Sequence, residues 1–225
     1  VSISGDGTTL AIGAPYNDGN GRDSGHVRVY RYNSTKTTSN SLGPAGWDRF
    51  GDDIDGEAID DYSGYSISLS ADGTILAIGA IYNSGSGLAA NGHVRVYQYN
   101  STKTTSNSLG PAGWDRLGND IDGEADYDYS GYSVSLSSDG TIVAIGAYAN
   151  DGNGDYSGQV RVYRYNSSKT SAQTNQNLPN FGPIGWDRIG GDIDGEAIGD
   201  KSGISVSLSS DGTIVAIGAT GNDGN

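Results

Sequence analysis

One passage of sequence returns through the whole chain. It runs Ser-x-Ser-Leu-Ser, an Asp-Gly-Thr turn, an Ile-Gly-Ala stretch, a Gly/Asn/Asp-rich loop, Val-Arg-Val-Tyr, then Trp-Asp-Arg leading into Asp-Ile-Asp-Gly-Glu-Ala. A repeat of this length constrains the fold before any single residue is weighed, because each copy must be one supersecondary unit that buries its faces against its neighbours. Asp6, Asp72, Asp139 and Asp211 open equivalent turns, at intervals of 66, 67 and 72 residues. The longer third copy carries its extra residues between Asn166 and Trp186. An insertion that leaves both flanks intact marks a surface loop.

The second copy shows the strands most clearly. Tyr65-Ser66-Ile67-Ser68-Leu69-Ser70 alternates apolar and serine, the period of a half-buried strand. Asp72-Gly73 is a tight-hairpin signal. Thr74-Ile75-Leu76-Ala77-Ile78-Gly79-Ala80 is apolar on both faces and reads as a covered central strand. His93-Val94-Arg95-Val96-Tyr97-Gln98-Tyr99 has the composition and period of a third strand. A weaker fourth runs from Trp114 through Asp120-Ile121-Asp122. No segment has a capped helical stripe. Tandem four-stranded antiparallel units, buried on both faces, predict an all-β fold of β-propeller blades. A β-solenoid is the rival, but its coils are usually shorter and would not need Asp-Gly hairpins. The predicted units are 1–58 (a blade lacking its beginning), 59–125, 126–198, and 199–225 (the start of a fourth). Three and a half blades are expected to be part of a longer repeat protein, closed as a ring or extended as a filament.

The Ser-Gly-Tyr-Ser-Val/Ile-Ser-Leu-Ser run followed by Ala-Ile-Gly-Ala, with a literal Gly13-Ala14-Pro15, resembles the FG-GAP repeat, the blade unit of integrin α-subunit heads. That resemblance implies a propeller, and members of the family serve in adhesion receptors, lectins, bacterial surface proteins and domains attached to enzymes. The integrin-type calcium loop between the first two strands is reduced here to Ser-Ala/Ser-Asp-Gly-Thr, too few oxygens for that ion.

A different acidic run recurs in each complete copy: Asp53, Asp55, Glu57, Asp61; Asp120, Asp122, Glu124, Asp128; and Asp192, Asp194, Glu196, Asp200. Alternating hard oxygens around a glycine are what Ca²⁺ requires. The same spacing also suits a solvated outer strand, protected by its charge from edge pairing, with a turn at the last Asp. Both readings stand on sequence alone.

The chain has 225 residues, a formal net charge of −14, and neither Cys nor Met. Thiolate chemistry and disulfides are therefore absent. The acidity argues against nucleic acid, and no apolar run is long enough to insert in a membrane. Asn33, Asn100 and Asn166 head Asn-x-Ser/Thr sequons, candidate glycosylation sites if the chain is secreted. Trp47, Trp114 and Trp186 recur with the blade, which favours packing over sugar stacking. His26 and His93 are replaced by Gln159 in the third copy. That exchange keeps polarity and abolishes proton transfer, so it suggests a hydrogen bond at a strand edge.

The resulting expectation is a non-enzymatic extracellular or cell-surface repeat protein with a structural or adhesive role, such as a glycosylated filament that associates with itself or with other surface proteins. The alternatives are a calcium-dependent adhesin or carbohydrate-binding propeller, and a non-catalytic propeller attached to an enzyme.

Overall fold

The computed structural model describes residues 1–178 and 180–224, with Ser86 through its backbone alone. Pro179 of the third-copy insertion and Asn225 at the end of the last loop lie outside the described residues. The first sheet contains β1 (Ser2–Ile3), β2 (Thr9–Ala14), β3 (His26–Tyr32), β4 (Trp47–Arg49) and β5 (Ile54–Asp55). The second contains β6 (Ser63–Leu69), β7 (Ile75–Ala80), β8 (His93–Tyr99), β9 (Trp114–Arg116) and β10 (Ile121–Asp122). The third contains β11 (Ser133–Leu136), β12 (Ile142–Ala147), β13 (Gln159–Tyr165), β14 (Trp186–Arg188) and β15 (Ile193–Asp194). A fourth opens with β16 (Ser202–Leu208) and β17 (Val215–Ala219).

Every pairing between these strands is antiparallel, and each full sheet follows chain order. The outermost strand is split. Its two pieces pair with different ends of the same third strand, as β9 and β10 do with β8. The break falls at Leu117-Gly118-Asn119, where Gly118 has a positive φ of 67°. The chain is therefore all-β, with three propeller-like blades and the start of a fourth.

The alternation of β7 explains why it is apolar on both faces. Leu76 and Ile78 enter a core with Val27, Val29, Phe50 and Ile54 of the first sheet. Ala77 enters a second core with Val143, Ile145 and Trp186 of the third. Trp114 and Trp186 are fully buried, and each indole N–H crosses to the preceding blade, donating 3.0 Å to the carbonyls of Phe50 and Leu117. Trp114 and Trp186 are thus packing residues.

The serines of the first strand also have a structural duty. Ser2, Ser68 and Ser135 accept from the amides of Leu69, Leu136 and Leu208, one blade further on, at 2.9–3.0 Å. At the hairpin tips, the amides of Gly5, Ala71 and Ser138 donate to the carbonyls of Ala71, Ser138 and Ser210, each at 2.8 Å. Blades approach so closely at the second strand that a Cβ on Gly79 would overlap the Gly131 carbonyl, and one on Gly146 that of Gly203. Among the described residues no helix is long and apolar enough to cross a membrane.

Candidate functional site

The acidic runs do not act as strings of adjacent ligands; each member has its own partner. The first carboxylate is held by two arginines. Asp53 accepts from Arg28 Nε at 2.7 Å and pairs with Arg49 at 2.8 Å. Asp120 does the same with Arg95 (2.8 Å) and Arg116 (2.7 Å), and Asp192 with Arg161 (2.8 Å) and Arg188 (2.5 Å). The last carboxylate closes a turn. Asp61 accepts from the amide of Ala58, Asp128 from those of Glu124 and Ala125, and Asp200 from those of Glu196 and Ala197. Asp55 lies 3.9 Å from His26, and Asp194 accepts from Gln159 at 3.2 Å.

The glutamate of each run reaches the next blade. Glu57 pairs with Arg95, and Glu124 with Arg161. Glu196 faces Asn222 at 3.4 Å. The first contact brings a carboxylate from the first blade to a buried imidazole in the second. One ligand atom each from Glu57, His93 and Asp120 lies within 4.8 Å of the others. His93 Nδ1 is 4.0 Å from Asp120 Oδ2, and its side chain is only 5% exposed. Burial, helped by the Arg95 charge, pushes the imidazole below its ordinary pKa and keeps a lone pair available. For Asp120 burial acts upward, but the hydrogen bond and charge of Arg95 outweigh it and hold the carboxylate ionised. Glu57, His93 and Arg95 also line an enclosed cavity of about 10 Å³, room for one small occupant. Outside lies an open polar groove of about 360 Å³, bordered by Asp53, Asp55, Glu57, Tyr97 and Arg116.

A cluster that can coordinate a metal ion is therefore present. It takes Glu57 from the first acidic run and Asp120 from the second, and adds His93, which the sequence reading set aside. The donor set, one imidazole nitrogen and two carboxylates, fits a first-row divalent cation better than all-oxygen Ca²⁺. Arg95 pairs with both carboxylates and Arg116 with Asp120, so a cation must loosen the Glu57–Arg95 pair as it enters.

This cluster corrects one expectation, that the chain is a non-enzymatic structural or adhesive repeat protein. Each complete copy carries the same acidic run, so no one copy is set apart by its carboxylates. The asymmetry arises between copies, because Glu57 and His93 meet across a blade boundary. The second boundary has the same scaffold without the imidazole. There Gln159 donates to Glu124 at 3.3 Å, and Gln176 of the third-copy insertion donates to it at 2.9 Å.

The sequons sit on the outer edge. Asn33, Asn100 and Asn166 are half-buried and donate to Asp48, Asp115 and Asp187 at 2.6–2.7 Å. Each side-chain oxygen accepts the amide two residues on, at 3.0 Å.

Comparison with known proteins adds fold-level context. The family described as FG-GAP repeat matches residues 121–163, one repeat segment of this chain. No curated protein matches it in sequence. Among solved structures, the periplasmic gluconolactonase PpgL of Pseudomonas aeruginosa aligns with 96% of this chain at 13% identity and a TM-score of 0.39. The chain spans 63% of that structure's length.

Proposed function

We propose that the junction of the first and second blades is a hydrolytic centre. In this reading it binds a divalent cation through Glu57, His93 and Asp120 and works on a small, neutral, polar substrate with a hydrolysable carbonyl in the adjoining groove. The observation that carries the reading is the convergence of a neutral buried imidazole with two carboxylates beside a polar groove. A cation bound there would lower the pKa of a coordinated water and polarise a carbonyl. Asp120 holds Arg95 in place beside the cluster through its Nε and Nη2 groups. The groove sets Asp53, Asp55 and Glu57 against Arg95 and Arg116, a small surplus of negative charge that supports a neutral over an anionic substrate. The groove volume falls in the range of small-molecule sites.

The same reading treats all copies as FG-GAP-type blades, supported by Ser-Gly and Ile-Gly-Ala in each complete copy. It also places the chain outside the cell, supported by the sequon in each complete copy.

The test is a panel of neutral esters and sugar lactones, incubated with the 225-residue chain and Zn²⁺ or Mn²⁺, with and without chelator. Turnover that needs the cation and is lost in His93→Gln supports the assignment. Equal turnover in His93→Gln, or none in a cation-loaded wild type, contradicts it. Gln is the residue the third copy uses at this position, so the variant keeps a side chain the fold accepts.

A further inference from the structure

The loop after the second strand of each blade opens with an asparagine: Asn17, Asn83, Asn150 and Asn222. In three of these loops its side-chain oxygen accepts the amide of the glycine two residues on, at 2.8–3.0 Å. In the second blade it does not. Asn83 is 6% exposed, and its Oδ1 has no hydrogen-bond donor. A second orphan lies beside it. Asn91 is fully buried and its Nδ2 donates to the Gly123 carbonyl at 3.1 Å, yet its Oδ1 also lacks a donor.

The two asparagines belong to one corner. The amide of Gly92 donates to the Asn83 carbonyl at 3.0 Å, and the amide of Gly123 donates to the Gly92 carbonyl at 2.9 Å. Asp122, next to Gly123, completes it. Its Oδ1 and the Asn83 Oδ1 lie 2.9 and 3.0 Å from the point where a Cβ on Gly85 would stand. The first and third blades keep the same pairing, Asn17 with Asp55 about Gly19 and Asn150 with Asp194 about Gly152, but differ at the Asn91 position. They place Ser24 and Ser157 where the second has Asn91, and fill the space with Asn20 and Asn153, which donate to the Gly56 and Gly195 carbonyls at 2.7 and 2.8 Å.

Buried acceptors are normally satisfied, and two orphaned amide oxygens beside a carboxylate require an electropositive partner. We infer that the second blade holds a hard cation, Ca²⁺ in kind, on Asn83 Oδ1, Asn91 Oδ1 and the Asp122 carboxylate. The donor set is all oxygen, as Ca²⁺ prefers, and the remaining positions fall to backbone carbonyls or water. Asn83 also lines a groove of about 980 Å³, together with Arg22, Asp23, Glu57, Asp60 and Asp61. With one carboxylate among three side-chain ligands, affinity falls in the weak range of extracellular calcium modules, about 10⁻⁴–10⁻³ M. This site uses none of the ligands of the Glu57–His93–Asp120 centre, although Asp122 is the cross-strand neighbour of His93.

The experiment is a Ca²⁺ titration of the 225-residue chain, read by thermal midpoint and by tyrosine-sensitised terbium luminescence. Wild type and His93→Gln should show the same saturable rise in midpoint. Asn91→Ser, which installs the residue used at Ser24 and Ser157, should weaken the response by at least about tenfold, the scale on which even outer partners of a metal act. Asp122→Asn should do likewise and stands in if Asn91→Ser does not fold. No calcium-dependent shift in wild type, or an undiminished one in these variants, overturns the inference and leaves an ordered water as the occupant. A shift lost in His93→Gln alone would assign calcium to the other centre and equally overturn it.

Discussion

The first and second blade junctions are two castings of one mould. Each has an indole bonded to the preceding blade, a glycine pressed on the next blade's glycine carbonyl, and an arginine held between a glutamate and an aspartate. Of their differences, one strand-edge residue and one loop touch the glutamate at the junction. The first has His93, and its Glu57 is 47% exposed. The second has Gln159, and its Glu124 is 24% exposed beneath Gln176. The shared parts hold blades together, and the differing parts decide whether a junction can bind a ligand. The repeat thus carries its own control for function.

The shared parts should fail alike. Trp114→Ala and Trp186→Ala should each cost about 3–5 kcal/mol, the usual range for deleting a buried tryptophan, measured by chemical denaturation. A large difference between them would show that the junctions are not energetically equivalent. A smaller, paired loss of about 1–3 kcal/mol is expected for Gly13→Ala at the first junction and Gly79→Ala at the second, where the new methyl must push two backbones apart.

The differing parts should be transferable. Gln159→His, combined with shortening of the 172–178 segment that carries Gln176, should create a second divalent-cation site on Glu124, the new imidazole and Asp192. Calorimetric stoichiometry would rise from one to two. An unchanged stoichiometry would mean that the imidazole is not what separates the junctions.

The smallest effect concerns acid. Asp120 and Asp192 are held below the ordinary carboxylate range; burial opposes this, and the bonds and charges of Arg95 and Arg161 prevail. A carboxyl with a lowered folded pKa stabilises the fold fully above its unfolded pKa of about 3.9 and loses that contribution as pH falls through the folded value. Melting temperature should therefore decline below about pH 4. The decline should be shallower in Asp192→Asn than in wild type, and similarly so in Asp120→Asn.

Much of this was legible in the chain. The strand alternation, the Asp-Gly hairpins and the apolar run of β7 specify a blade directly, because they are local patterns tied to a period of two. The duty of the inner-strand serines was not visible, since their partners lie a full repeat away. The same reason hid the candidate site. The acidic runs were read along the chain, whereas Glu57 meets His93 and Asp120 only after two blades stack. The His-to-Gln exchange was the available signal, and it marks the one junction that differs. Asn91 left a similar trace, standing where the other copies have serine.

The most direct test is isothermal titration of Zn²⁺ or Mn²⁺ into wild type and His93→Gln at neutral pH, with Ca²⁺ present at saturation in both. One cation per wild-type chain, and none at the same concentrations in a folded His93→Gln, is the predicted result. Equal binding by the two proteins, or none by wild type, would contradict a metal centre at the first blade junction.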